Sequence, residues 1–163
     1  MATPATRGWG DPGIPGSAAG REYERDHIVT ISAGGIRLRV HHIAAPLFAG
    51  FCDSLVAHKP PYALNKVADD WGYAHRYIRG SRTTLSNHSW GLAVDLNATT
   101  NPMTSDGKVH TDMPAWVIVT ATRWGLFWGG NYKASGRRDP MHFEYLGRPE
   151  QIASIVAKAT GAP

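Results

Sequence analysis

Apolar and polar positions alternate with two different periods along this chain, and the expected elements follow from where the period changes. Ile28-Val29-Thr30-Ile31 and Ile36-Arg37-Leu38-Arg39-Val40 flank Ala33-Gly34-Gly35. In the second run Ile36, Leu38 and Val40 alternate with arginines, which predicts a β-hairpin with one wet face. From Pro46 to His58 the spacing lengthens: Leu47, Phe48, Phe51, Leu55 and Val56 recur at helical intervals. Pro46 suits a first turn and Lys59-Pro60-Pro61 a stop, so an amphipathic helix lying on a sheet is expected. A short helical piece is expected around Lys66 to Trp71, then a polar loop from Gly72 to Arg82. Leu92, Val94 and Leu96 alternate with Ala93, Asp95 and Asn97, a short strand with Ala93 and Asp95 on one face. A loop rich in Asn, Pro, Thr, Ser and Gly runs from Thr99 to Asp112. Pro114 to Arg123 predicts a second helix closed by Gly125, and Arg148 to Ala159 a last one that docks Ile152, Ile155 and Val156. Turn signals crowd residues 1–20, at Gly8-Trp9-Gly10-Asp11-Pro12-Gly13 and Pro15-Gly16, and predict a flexible Gly/Pro-rich arm pinned by Trp9. The pattern as a whole predicts an α+β domain over residues 21–163, with a small antiparallel sheet packed against a few helices.

Composition narrows the class without changing the elements. The chain has 163 residues, 42% hydrophobic and 18% charged, as in an ordinary globular domain. Net charge is +4 and the pI about 9.4. Lys and Arg are scattered rather than striped, so the charge fits a diffuse attraction to anionic polymers and argues against nucleic acid. Cys52 is the sole cysteine. It rules out an internal disulfide and a cysteine-based zinc site, and is expected to be a buried structural thiol. No apolar core of a secretory signal and no membrane-length run occurs, so synthesis in a cytoplasm without membrane insertion is expected.

Candidate chemistry lies in two clusters. His88 and Asp95 fall within Ser86-Asn87-His88-Ser89-Trp90-Gly91-Leu92-Ala93-Val94-Asp95. A carboxylate in the middle of a strand is costly to bury without a partner, and a metal ion is one such partner. The second cluster is Asp139-Pro140-Met141-His142-Phe143-Glu144-Tyr145, in which Pro140 keeps Asp139 out of helix. His142 then supplies a third ligand. Two histidines and a carboxylate with an open fourth position is the arrangement of catalytic zinc sites. His41 and His42, adjacent on a strand, are expected to point to opposite faces and serve structure or surface. His110, in a loop, is left out of the site. Trp128, beside Gly129-Gly130, is expected to wall the cleft.

Ser86-x-His88-x-x-Gly91-x-Ala93-x-Asp95 followed by Asp139-x-x-His142 resembles the signature of the M15 family of zinc peptidases. That family contains D-Ala-D-Ala carboxypeptidases, dipeptidases and the L-alanyl-D-glutamate endopeptidases of phage endolysins. The resemblance runs from about Gly72 to Tyr145, and the wording Ser-Asn-His-Ser-Trp-Gly with Asp-Pro-Met-His-Phe-Glu is most similar to the endolysin branch. It implies Zn²⁺ on His88, Asp95 and His142, Asp139 as the catalytic base, and an upstream arginine on the oxyanion. Arg76 matches that arginine best, with Arg79 the alternative. Glu144 is the rival base, although pairing with a nearby arginine is the favoured expectation for it, and Ser86 and Asn97 would orient ligands. The implied substrate is a peptidoglycan stem peptide, cut by a monomer at L-Ala–D-Glu and delivered to the wall by a phage holin. Removal of terminal D-Ala is the alternative, and a non-catalytic wall-binding domain a further one.

Overall fold

The computed structural model describes residues 3–64, 69–133 and 136–161. The hairpin pairs β1 (Ile28–Ala33) with β2 (Ile36–His41), from Ile28 opposite His41 to Ala33 opposite Ile36. Gly34 and Gly35 take φ of 58° and 80°, the left-handed pair that a two-residue turn requires if the strands are to keep their twist. Ile36, Leu38 and Val40 point inward and Arg37 and Arg39 outward, as the alternation predicts.

Helix α2 (Ala45–Ala57) lies on this hairpin. Leu47, Phe48, Phe51, Cys52 and Leu55 are fully buried along one side, while Val56, next to Leu55, turns to solvent. Burial pushes the Cys52 thiol far up, so it stays protonated as a core group. Helices α3 (Ala115–Arg123) and α4 (Ile152–Thr160) pack against α2. Helix α3 starts where Pro114 caps it, and α4 follows a single 3₁₀ turn at Pro149–Gln151.

The second sheet carries the site. Its order is β3 (Ala93–Asp95), β5 (His142–Tyr145), β4 (Leu126–Trp128), all antiparallel. Asp95 pairs with His142, Val94 with Phe143 and Ala93 with Glu144. Because side chains alternate across a strand, this register puts Asp95, His142 and Glu144 on the face away from Phe143. Phe143 is buried against Phe51 of α2, ring centroids 5.0 Å apart, which fixes that face to the core and the other to the site.

Two elements depart from the pattern. Helix α1 (Ala18–His27) spans the expected end of the arm at residue 20 and a stretch to which the pattern assigns no element. Half of its ten residues are charged and Tyr23 is its one large buried side chain, so no apolar run marks it. Ser17 caps it by accepting from the Gly20 amide, a signal the sequence does contain. The helical piece expected around 66–71 falls partly on residues 65–68, outside the described residues. Trp71, which is described, is extended instead and exchanges both backbone bonds with Asp95, at 2.9 and 2.8 Å. The Gly/Pro-rich opening lies against the body. Trp9 is buried and its indole donates to the Gly147 carbonyl, while Trp90 donates to Gly10 O.

Candidate metal centre

His88 reaches the site from a single 3₁₀ turn, Asn87–Trp90. Ser86 caps that turn, its hydroxyl accepting from the His88 amide. Gly91 ends it at φ 66°, and a Cβ there would meet the His41 amide nitrogen at 2.4 Å. A glycine is therefore required twice over, for the left-handed backbone and for the close approach of β2. Gly72 is required by close approach alone, since a Cβ on it would lie 2.1 Å from the Arg39 carbonyl oxygen.

The three predicted ligands converge. His88 Nε2 lies 3.2 Å from Asp95 Oδ1, His142 Nδ1 lies 2.9 Å from the same oxygen, and the two ring nitrogens are 3.1 Å apart. All three residues are buried. Each ring is committed on its far side. His88 Nδ1 is 2.6 Å from the Gly72 carbonyl, which accepts only, so Nδ1 carries the hydrogen and Nε2 is bare. His142 Nε2 is 3.3 Å from Glu144 Oε2, which leaves Nδ1 bare by the same reasoning. With both rings neutral, two bare nitrogens and a carboxylate meet so closely that a proton or a metal cation must lie between them. The donor set therefore fits a metal ion, with the ring tautomers already set for it.

The electrostatics point the same way. Burial opposes protonation of His142, yet its bonds to Asp95 and Glu144 prevail and hold it up to about 10. Burial likewise works against the Asp95 carboxylate, and His88 and His142 nevertheless keep it well below the usual range. A pocket that grips a proton this firmly is built for positive charge.

Glu144 is paired with no arginine among the described residues, contrary to the sequence expectation. Its carboxylate accepts from the Tyr132 hydroxyl at 2.7 Å and from the Asn87 side-chain amide, besides facing His142. Burial alone would push it up, and these three partners hold it down. Asp139 sits at the head of a turn closed by the His142 amide donating to its carbonyl at 3.1 Å, with Pro140 in the second position. Its Oδ1 is buried with no hydrogen-bond partner. Burial pushes the Asp139 carboxyl up and Asp95 adds to this, while His142, His88 and Arg76 pull it back. Arg76 and Arg79 are both exposed on the cleft wall, and Arg76 is the one whose charge reaches Asp139. Asn97, at φ 47°, donates its backbone amide to Asp70 Oδ1 and its side-chain amide to Ala63 O, holding the loop after β3.

Other expectations change. Trp128 lies outside the cleft: its indole donates to the Pro140 carbonyl at 2.7 Å, bracing the turn that carries Asp139. Trp71 lines the cleft instead, 47% exposed and hydrogen-bonded through its backbone to Asp95. The sequence signal for it was a lone tryptophan just ahead of the required Gly72. His110 pairs with Asp106 at the surface, away from the site. His41 and His42 do not diverge, because His42 lies past the end of β2, and His27 joins them.

Residues 79–145, about two-fifths of the chain, match the family model described as D-alanyl-D-alanine carboxypeptidase. Comparison with curated proteins and with solved structures gives no match. The matched segment contains every ligand of the buried donor set and the turn that leads into it. With that similarity lying over the site itself, the chain is a metallopeptidase.

Proposed function

We propose that this protein is a zinc peptidase that hydrolyses a stem-peptide bond of peptidoglycan, at L-Ala–D-Glu, in the manner of a phage endolysin. The convergence of bare His88 Nε2, bare His142 Nδ1 and the Asp95 carboxylate carries the reading. These atoms suit Zn²⁺, with an open position toward the cleft. When bound, the ion supplies Lewis acidity toward the scissile carbonyl and lowers the pKa of water. The chain's residues do the rest. Asp139 takes the proton of the attacking water at its unpartnered Oδ1 and returns it to the leaving amine. Arg76 faces the oxyanion that forms on the substrate. Glu144 holds His142 in place.

The cleft is open at the surface and has room for a polymer, which supports the endopeptidase reading. The cleft is about 2350 Å³, well beyond the roughly 300–1,000 Å³ of a small-ligand pocket. Its walls carry Arg37, Arg76, Arg79 and Arg137, suited to an anionic polymer. A second reading, removal of terminal D-Ala, is favoured by the description of the matching family. Mass spectrometry of products from purified peptidoglycan separates them. New D-Glu or D-isoglutamine amino termini support the endopeptidase, whereas free D-Ala or D-Ala-D-Ala supports the alternative. Absence of products from several wall types with zinc bound would overturn both.

A further inference from the structure

Away from the cleft, a second group of imidazoles gathers where α1, the end of β2 and the following turn meet. His27 is the last residue of α1, His41 the last of β2, and His42 the next. One ring nitrogen of each lies within 4.8 Å of the others. Ring centroids are 4.8 Å apart for His41 and His42, 5.3 Å for His27 and His41, and 5.9 Å for His27 and His42. We propose that His27, His41 and His42 form a second metal site, taking a divalent transition ion of the zinc class through three imidazole nitrogens and water.

The spacing, the backbone and the donors each support it. Tetrahedral ligation with Zn–N of about 2.0–2.1 Å places the nitrogens roughly 3.3–3.4 Å apart. The present donors need close by little more than an ångström, which rotation of the half-buried His27 and exposed His42 side chains supplies. The backbone is set beforehand: the His42 amide donates to His27 O at 2.8 Å and the His41 amide to Gly91 O at 3.0 Å. His27 Nδ1 is buried and takes no hydrogen bond, a polar atom that an ion would satisfy. His41 Nδ1 accepts the Ile43 amide at a long 3.2 Å, so ligation there releases a weak bond at a surface residue, Ile43 being 38% exposed. None of the three histidines has an ion-pair partner among the described residues. Imidazole donors without thiolate or carboxylate suit zinc, copper or nickel rather than calcium or magnesium. Occupation would tie α1 to the hairpin end whose His41 amide holds the Gly91 carbonyl, beside the turn that presents His88.

The test is zinc stoichiometry and thermal stability of the tag-free chain, comparing wild type with H42A, whose His42 is exposed and outside the catalytic machinery. Two ions per chain in wild type and one in H42A, with peptidase activity retained, are expected. Zinc should also raise the melting temperature of D95N, and should not raise that of D95N/H42A. One ion in wild type that H42A still binds would overturn the proposal, and so would two in H42A, whereas one ion in wild type that H42A loses would overturn the cleft site instead. Because D95N weakens the cleft site and H42A the other, failure of either site is read separately.

Discussion

Replacing Glu144 separates the work of two carboxylates that line the same cleft, Glu144 and Asp139. Glu144 faces His142 Nε2 at 3.3 Å and also accepts from Tyr132 and Asn87. In Glu144→Ala all three donors lose their acceptor in a buried place. An orphaned buried donor costs about 1–3 kcal/mol, so the variant should be less stable by several kcal/mol in urea unfolding. His142 also loses the contact that fixes its tautomer, and ligand-orienting partners of this kind are worth roughly 10–100-fold in metal affinity, or about 1.4–2.7 kcal/mol. Glu144→Gln is milder. Its carbonyl oxygen can keep His142 and Asn87 while its amide donates to the Tyr132 hydroxyl, which then serves as acceptor. The loss should fall near the tenfold end. Competition against a chromophoric zinc chelator measures the affinities, and peptidoglycan hydrolysis at saturating zinc measures turnover. Glu144→Gln should keep most of its turnover once zinc is saturating. Wild-type zinc affinity in Glu144→Ala would refute the orienting role. Lost turnover with intact zinc binding in Glu144→Gln would make Glu144, not Asp139, the base.

Three further outcomes follow from the same geometry. Asp139→Ala should bind zinc as wild type does and lose about 10²–10⁴-fold in turnover, and near-full activity of the zinc-loaded variant would remove Asp139 from the mechanism. Arg76→Ala should lose about 10²–10³-fold in kcat/KM, with little change in melting temperature since the residue is exposed and makes no ion pair among the described residues; a large stability loss without a rate effect would contradict this. Burial pushes the Asp70 carboxyl up to about 6, with Oδ2 unpartnered and Oδ1 accepting from the Asn97 amide at 2.9 Å. A carboxyl raised on folding destabilises the protein as pH climbs from its unfolded value of about 3.9 through 6. Allowing for partial exposure, Asp70→Asn should be more stable by about 1 kcal/mol at pH 7.5 and no different near pH 4, and a gain equal at both pH values would show another cause.

What the sequence discloses here is local, and what it hides is pairing at a distance. The hairpin was legible because alternation and Gly34-Gly35 specify both strands and the turn between them. Helix α2 was legible from its spacing of apolar residues. Both histidines and the aspartate of the donor set stood out because a carboxylate amid apolar strand residues needs a partner. Their meeting depends on Asp95 pairing with His142, a contact between residues far apart in the chain that no local pattern encodes. Glu144 was misjudged for the same reason, since Tyr132 and Asn87 reach it only through the fold. Helix α1 was missed because charges hide its face, although Ser17 caps it. Trp71 takes the place expected of Trp128, because bulk beside glycines says nothing of which way an indole turns. His42 was placed on a strand that ends one residue earlier.

The most direct test of the central claim is anomalous diffraction at the zinc edge from crystals of the zinc-loaded protein. A peak about 2.0–2.2 Å from Nε2 of His88, Nδ1 of His142 and a carboxylate oxygen of Asp95 is the predicted result. No peak between these three, or an ion held through His88 Nδ1 or His142 Nε2, would contradict it.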